Sequence, residues 1–210
     1  VSRLRDTLAA FARLGGKVVD TAAAYGDSEG TLGAILSVTG LREQLFLATK
    51  VGQDSAVDGR ASVAHSFEVM RTRRLDLVQL HNLRGADSVL AVLREMQTAG
   101  SIGHIGITSS SDRQYSEMEA IMRRERLDFI QVDYAVGNRG AGERLLPLAA
   151  DRGMAVLVNL PFGRGAQFRA VGDRPLPGWA AEIDCTSWAQ IFLKYVLSHP
   201  AVTCAIPGST

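Results

Sequence analysis

The 210-residue chain has little cysteine, no long apolar run and almost no net charge. Its two cysteines, Cys185 and Cys204, are too few for a disulfide-rich scaffold and lack metal-ligand spacing, so the sequence predicts no metal site. The longest apolar stretches, such as residues 155–160, are far shorter than the roughly 18 residues of a membrane span. The formal net charge of +1 gives no basis for a nucleic-acid or membrane partner. Without an N-terminal secretory pattern, we expect a cytoplasmic protein.

What the chain does contain is typical of a folded globular protein. Hydrophobic residues make up 46% and charged residues 21%, which excludes a disordered or collagen-like chain. No stretch rich in proline and serine divides the sequence. We therefore predict one domain over residues 1–210.

Short β-rich runs alternate with longer amphipathic segments along the whole chain. The predicted strands are residues 18–21, 45–49, 75–80, 104–108, 129–134, 155–160 and 202–206. The predicted helices are residues 2–14, 29–36, 61–73, 88–99, 115–124, 143–151 and 187–197. Residues 167–182 are rich in glycine and proline, which predicts a loop or lid without a long helix.

This alternation favours parallel strands joined by helical crossovers, and two architectures are open. One is a doubly wound open sheet, but no G-x-G-x-x-G turn follows an early strand. The other is a (β/α)8 TIM barrel, which normally has eight strands and about 250 residues. Because the chain opens on a helix, we predict an α/β protein of the barrel type that lacks the first strand and the C-terminal tail.

Three successive predicted strands end in residues that carry chemistry, namely Asp20, Lys50 and His81, and Tyr25 follows the first of them by five positions. Each has an ordinary explanation alone: a cap for Asp20, a solvated charge for Lys50, a turn or core histidine for His81. In a barrel, however, the C-terminal strand ends meet at one rim, where active sites lie. The conjunction therefore predicts a catalytic cluster.

These four groups suit the delivery of a proton to a carbonyl that receives a hydride. A tyrosine has an ordinary pKa near 10, and a nearby ammonium such as that of Lys50 favours its ionised form. Asp20 can orient Lys50 through a charge-assisted hydrogen bond, and a neutral His81 can donate to a carbonyl oxygen. None of the four can supply the hydride, so the chemistry requires a cofactor.

Several ordered blocks resemble the aldo-keto reductase family. Residues 16–29 read GKVVDTAAAYGDSE and look like the family signature. Further matching blocks are Thr49-Lys50-Val51, residues 76–81 (DLVQLH), residues 103–109 (GHIGITS), residues 161–165 (PFGRG) and residues 206–208 (IPG). The resemblance implies a (β/α)8 barrel that binds NADPH without a Rossmann fold. It also implies that Asp20, Tyr25, Lys50 and His81 form the catalytic tetrad, with Tyr25 as the general acid.

The resemblance also implies cofactor-binding positions, some of which depart from the family pattern. Ser109 and Gln131 match residues that hold the nicotinamide carboxamide, and Ser110 stands where the family usually has asparagine. Asn159 stands where many members stack an aromatic ring on the nicotinamide. The loop that contains Phe162, Gly163 and Gly165 resembles the segment whose backbone N–H groups approach the pyrophosphate.

The implied function is NADP-dependent reduction of an aldehyde or ketone to an alcohol, with a small carbonyl compound as the partner. The alternative is a non-catalytic barrel that binds a nicotinamide cofactor as a sensor or interaction module, which the departures at Ser110 and Asn159 favour. The sequence does not distinguish NADP from NAD, identify the carbonyl compound or indicate an oligomeric state.

Overall fold

The computed structural model describes residues 2–208, in which α-helices and β-strands alternate as the sequence predicts. The strands are β1 (Val18–Asp20), β2 (Phe46–Val51), β3 (Leu75–His81), β4 (Ile102–Thr108), β5 (Phe129–Asp133), β6 (Ala155–Asn159) and β7 (Cys204–Ala205). The helices are α1 (Ser2–Arg13), α2 (Ser28–Thr39), α3 (Ala56–Val69), α4 (Ala86–Thr98), α5 (Tyr115–Arg124), α6 (Ala141–Asp151), α7 (Ala166–Val171) and α8 (Trp188–Leu197).

The chain folds as two compact units, one up to Thr108 and one from Ser109 onwards. The single domain predicted over residues 1–210 stays a prediction. No helix within residues 2–208 has both the length and the apolar character needed to cross a bilayer.

In the first unit, strands β1 to β4 form a parallel sheet in chain order. The register pairs Val19 with Leu47, Lys50 with Gln79, and Leu80 with Ile107. Most residues of β2 and β3 are buried, as expected for strands that are covered on both faces. Because the strands are parallel and in register, their carboxyl ends lie at the same edge of this sheet.

The start of α3 lies five residues before the predicted one. Ser55 is the N-cap: its hydroxyl oxygen accepts the N–H of Asp58 at 3.1 Å and donates to the Asp58 carboxylate at 2.6 Å. This reciprocal arrangement satisfies a backbone donor at the helix start. Few residues of α3 are buried, so the apolar periodicity on which the prediction depended is weak there.

In the second unit, β5, β6 and β7 are also parallel and in chain order. The register pairs Gln131 with Leu157 and Asp133 with Asn159, so β5 and β6 end together. The predicted loop over residues 167–182 contains more helix than expected, because it includes most of α7 and most of a 3-10 helix at Gly178–Ile183. Neither is long, in agreement with the glycine and proline content.

Candidate active site

The centre of the candidate site is an ion pair between two neighbouring strands of the first unit. Asp20 is the last residue of β1, and Lys50 lies one residue before the end of β2. The Lys50 ammonium donates to the Asp20 carboxylate and, at 2.8 Å, to the backbone carbonyl of Thr21. The two side chains are only 2% and 10% exposed, so little water screens their attraction.

Tyr25 lies above this pair on the loop between β1 and α2. Its ring centroid is 4.9 Å from the Lys50 ammonium nitrogen. The loop is held at both ends, because the Thr21 hydroxyl donates to Ser28 at 2.9 Å and the Tyr25 N–H donates to the Ala22 carbonyl at 2.9 Å. Tyr25 is nevertheless 49% exposed, so a molecule from solvent can reach its phenol.

His81 ends β3 and completes the cluster. Its ring meets the Tyr25 ring edge-on, with centroids 5.8 Å apart. Burial, and then the positive charge of Lys50, lower the pKa of His81 below its ordinary value of 6.5. His81 is therefore neutral at neutral pH, and a neutral imidazole can donate a hydrogen bond to a carbonyl oxygen. Two residues with left-handed backbone, Asn82 (φ 54°) and Leu83 (φ 61°), follow it directly.

The opposite face of β2 is held by a buried acidic side chain. Glu29 of α2 accepts the Thr49 hydroxyl at 2.5 Å and the Ser66 hydroxyl of α3 at 3.2 Å. Successive strand residues point to opposite faces, so Thr49 faces the helices while Lys50 faces Asp20. This polar contact joins α2, β2 and α3 directly behind the ammonium-bearing residue.

One residue of the cluster was missed by the sequence argument. Gln79 is fully buried, and its Nε2 lies 3.4 Å from the second carboxylate oxygen of Asp20. The signal in the sequence was a polar residue inside the apolar run Leu75–His81, and the structure shows that this residue pairs in register with Lys50.

In the second unit, three of the predicted cofactor-binding residues lie within or directly after a strand. Gln131 is buried inside β5, Asn159 ends β6, and Ser109 is the first residue after β4. The Asn159 Nδ2 donates to the Ser109 backbone carbonyl at 3.2 Å, while its buried Oδ1 has no partner in the described chain.

The Ser109 hydroxyl already donates to Gln114 at 2.8 Å and accepts the Ser111 N–H at 3.1 Å. Ser110 is half-buried.

The loop after β6 turns through three consecutive residues with positive φ: Gly163 (56°), Arg164 (53°) and Gly165 (78°). The Gly163 N–H donates to the Leu160 carbonyl at 2.8 Å, and the Gly165 N–H donates to the Phe162 carbonyl at 3.0 Å. Both N–H groups are thus engaged within the loop. A pyrophosphate would need other donors or a rearranged turn.

The buried Oδ1 of Asn159 makes this strand end a fit for an amide. A carboxamide NH2 group can donate to that oxygen, and the Asn159 side chain is oriented by its own hydrogen bond to Ser109. The side-chain amide of Asn159 offers a nicotinamide ring much less stacking surface than an aromatic side chain would. Among residues 2–208, no cluster of three His, Cys, Asp or Glu could hold a metal ion.

Two relatives are similar to this chain in sequence, each at 30% identity. The chain is 30% identical over 207 residues to methylglyoxal reductase YeaE from Escherichia coli (strain K12), which covers 95% of this chain and 72% of that protein. It is 30% identical over 175 residues to aldo-keto reductase YhdN from Bacillus subtilis (strain 168), which covers 76% of this chain and 52% of that protein.

Solved structures share the fold. The holo form of aldo-keto reductase AKR11C1 from Bacillus halodurans matches with a TM-score of 0.78 and 25% identity, over 100% of this chain and 77% of that one. An aldo/keto reductase from Klebsiella pneumoniae, solved with NADP and acetate, matches with a TM-score of 0.82 and 22% identity, over 98% of this chain and 74% of that one. The predicted fold class, an α/β protein of the parallel-barrel type, is confirmed by this likeness.

The family model for "Aldo/keto reductase family" matches residues 2–210, nearly the whole chain. The family resemblance seen in the ordered sequence blocks is thereby confirmed, and this chain belongs to the aldo/keto reductase family.

Proposed function

We propose that this chain is an NADPH-dependent carbonyl reductase in which Tyr25 is the general acid. The observation that carries the proposal is the buried Lys50 ammonium, held between the Asp20 carboxylate and the Tyr25 ring. A positive charge beside a phenol favours loss of the phenol proton, which is what a proton donor needs.

The roles of the four residues follow from their contacts. Asp20 and the Thr21 carbonyl orient the Lys50 ammonium beside the Tyr25 ring, where its charge can stabilise the phenolate left after Tyr25 has donated its proton. His81, neutral because of its lowered pKa, donates a hydrogen bond that orients the carbonyl oxygen. As the carbonyl carbon accepts the hydride, Tyr25 donates its proton to the oxygen, and the product is an alcohol.

A reduced nicotinamide supplies the hydride when it is bound. We propose that Asn159 Oδ1, Gln131 and the two serines Ser109 and Ser110 hold its carboxamide. The unpartnered buried oxygen of Asn159 supports this assignment. We assign the phosphates to the loop that contains Phe162, Gly163 and Gly165, with a rearrangement of the turn that frees the N–H groups of the two glycines from their hydrogen bonds within the loop. NADPH is preferred in this proposal because the solved relative from Klebsiella pneumoniae contains NADP.

The proposed substrate is a small aldehyde or ketone, and methylglyoxal is the first to test because a relative at 30% identity is named for its reduction. The two free thiols, Cys185 and Cys204, suit a reducing compartment, and we propose a cytoplasmic location on that ground.

The direct test combines turnover with binding. Loss of reduced-nicotinamide absorbance is followed with methylglyoxal and a panel of other aldehydes, with NADPH and with NADH, beside a fluorescence titration of cofactor binding. We expect turnover that depends on the aldehyde, and tighter binding of NADPH than of NADH. Cofactor binding without turnover of any aldehyde contradicts the proposal and favours a non-catalytic cofactor-binding barrel, the alternative that the departure at Asn159 suggests.

A further inference from the structure

Gln79 lies on the same face of the sheet as the candidate catalytic groups. It pairs in register with Lys50 and precedes His81 by two residues. Parallel neighbours in register, and residues two apart on a strand, point to the same face. Gln79 is 0% exposed, so its side chain belongs to the interior of the unit.

The contact of Gln79 is with the carboxylate oxygen that Lys50 does not take. Gln79 Nε2 faces Asp20 Oδ1 at 3.4 Å, whereas the Lys50 ammonium donates to Asp20 Oδ2. A carboxylate only accepts hydrogen bonds, so the amide has to present its NH2 group to Asp20. At this distance the bond is long, and its effect comes mainly from the positive end of the amide dipole facing a buried negative charge.

The other end of the amide is left without a partner. Gln79 Oε1 is buried and accepts no hydrogen bond in residues 2–208, which costs folding free energy. A leucine would fill similar space without that cost. Because the unpartnered Oε1 makes Gln79 costly at this position, we expect the contact of its Nε2 with Asp20 to have a role.

We infer that Gln79 is a positioning residue for the proposed reduction, since it keeps the Asp20 carboxylate oriented toward Lys50 and thereby holds the ammonium beside Tyr25. The inference rests on the proposed function. Among the charged and titratable groups of the cluster, Lys50 from β2 pairs with Asp20, Tyr25 lies against Lys50, and His81 from β3 lies against Tyr25. Gln79 is the neutral member that stabilises the negative charge among them.

The first test is Gln79→Leu, which removes the amide and keeps most of the volume. We expect kcat to fall by about tenfold, as for loss of a hydrogen bond to a charged group, while KM changes less than kcat. Asp20 then accepts a proton more easily, so the acidic limb of the kcat–pH profile moves to higher pH.

Gln79→Glu keeps the shape and makes the group titratable. At low pH the introduced carboxylic acid can still donate to Asp20, whereas at higher pH the ionised group repels it. We expect the kcat of this variant to decrease as pH rises through neutrality, relative to the unchanged chain.

Thr49→Val is the matched control, because it also removes a buried polar group beside Lys50 but on the opposite face, where Thr49 donates to Glu29. We expect it to lower the unfolding temperature and to leave the acidic limb in place. Unchanged kcat and an unchanged pH profile in Gln79→Leu would overturn the inference, as would an equal shift of the acidic limb in Thr49→Val.

A second readout does not depend on turnover. Lys50 is one of three lysines, with Lys17 and Lys194, so its side-chain resonance can be assigned with carbon-13-labelled lysine. We expect Gln79→Leu to shift the Lys50 resonance and leave the other two unchanged. If the unchanged chain reduces no carbonyl, the proposed function fails while a shifted Lys50 resonance still supports the positioning role. An unshifted resonance contradicts that role in either case.

Discussion

At the scale of single residues, the candidate site is a small set of charges with little access to water. Lys50 and Asp20 are almost fully buried, and Tyr25 alone is open to solvent among the four tetrad candidates, whose remaining member is His81. Their burial makes each charge depend on its partner, because an uncompensated buried charge is costly. This dependence can be measured in the free energy of unfolding as well as in activity.

Lys50→Met leaves the buried Asp20 carboxylate without its cation. We expect the free energy of unfolding, measured by urea denaturation, to fall by about 3–5 kcal/mol. Adding Asp20→Asn should recover part of this loss, since no unpaired charge then stays buried. Lys17→Met, at an exposed lysine, is the control and should change little. The single variant Asp20→Asn completes the comparison. If the double variant loses as much unfolding free energy as the two single variants lose together, the two side chains of the ion pair are not coupled.

The lowered pKa of His81 predicts a pH-dependent stability. The folded state binds a proton at His81 less readily than the unfolded chain does, so stability is lost as pH falls below the ordinary pKa of 6.5. His81→Asn removes this contribution. We therefore expect the variant to lose less unfolding free energy than the unchanged chain between about pH 7.5 and about pH 5.

The control for His81 is His65→Asn, at a histidine whose side chain is 66% exposed. It should leave the pH dependence of stability unchanged. The same pH dependence in His81→Asn and in the unchanged chain would show that His81 does not have a lowered pKa.

At the scale of elements, close packing of α2 against the end of α3 depends on one glycine. A Cβ on Gly33 would lie 2.3 Å from the Val69 carbonyl oxygen and 2.7 Å from the Met70 backbone. Backbone atoms in a packed helix pair cannot move aside as a side chain can. This contact fixes how near α2 lies to α3, behind the strand that carries Lys50.

Gly33→Ala should therefore lower the free energy of unfolding by about 1–3 kcal/mol, the usual cost of overpacking. Gly30→Ala on the same helix is the matched control, because its Cβ would meet only the Asp27 side chain, which can rotate. There the better helix propensity of alanine, worth about 1 kcal/mol, should offset the contact. Thermal or urea unfolding of the two variants side by side decides; equal destabilisation would contradict the packing argument.

Helix and strand positions were predictable where the apolar period was strong. The bounds of α5 match the prediction, whereas α3 begins at Ala56, five residues early, because its start is set by the Ser55 cap rather than by buried apolar residues. The 3-10 helix at Gly178–Ile183 follows two prolines and carries no clear period. Local hydrogen bonds set these boundaries, and the apolar period of the sequence does not predict such bonds.

At the scale of the whole molecule, the order of the elements was the predictable part, and side-chain partners were not. The alternation of strands and helices left an open sheet and a barrel as alternatives, the lack of a G-x-G-x-x-G turn favoured the barrel, and motif order predicted the family. The hydrogen bond from the Ser109 hydroxyl to Gln114 could not be predicted, because it depends on the conformation of the loop between the two residues. The contact between Gln79 and Asp20 needs the register of three strands, which the sequence does not state.

The tetrad candidates all lie in the unit up to Thr108, and the cofactor candidates all lie in the unit from Ser109 onwards. A variant in the first group should therefore change turnover without removing the residues proposed to bind the cofactor. This separation makes the role of the phenol testable by itself.

The most direct measurement is the turnover of Tyr25→Phe with NADPH and a carbonyl substrate, beside cofactor affinity by fluorescence titration. Loss of a general acid should lower kcat by about a thousandfold, while cofactor affinity stays within about twofold of the unchanged chain. Tyr195→Phe, which removes a phenol that contacts Tyr134 in the second unit, is the control and should keep its turnover. A Tyr25→Phe chain that reduces the carbonyl at the original rate would contradict the account.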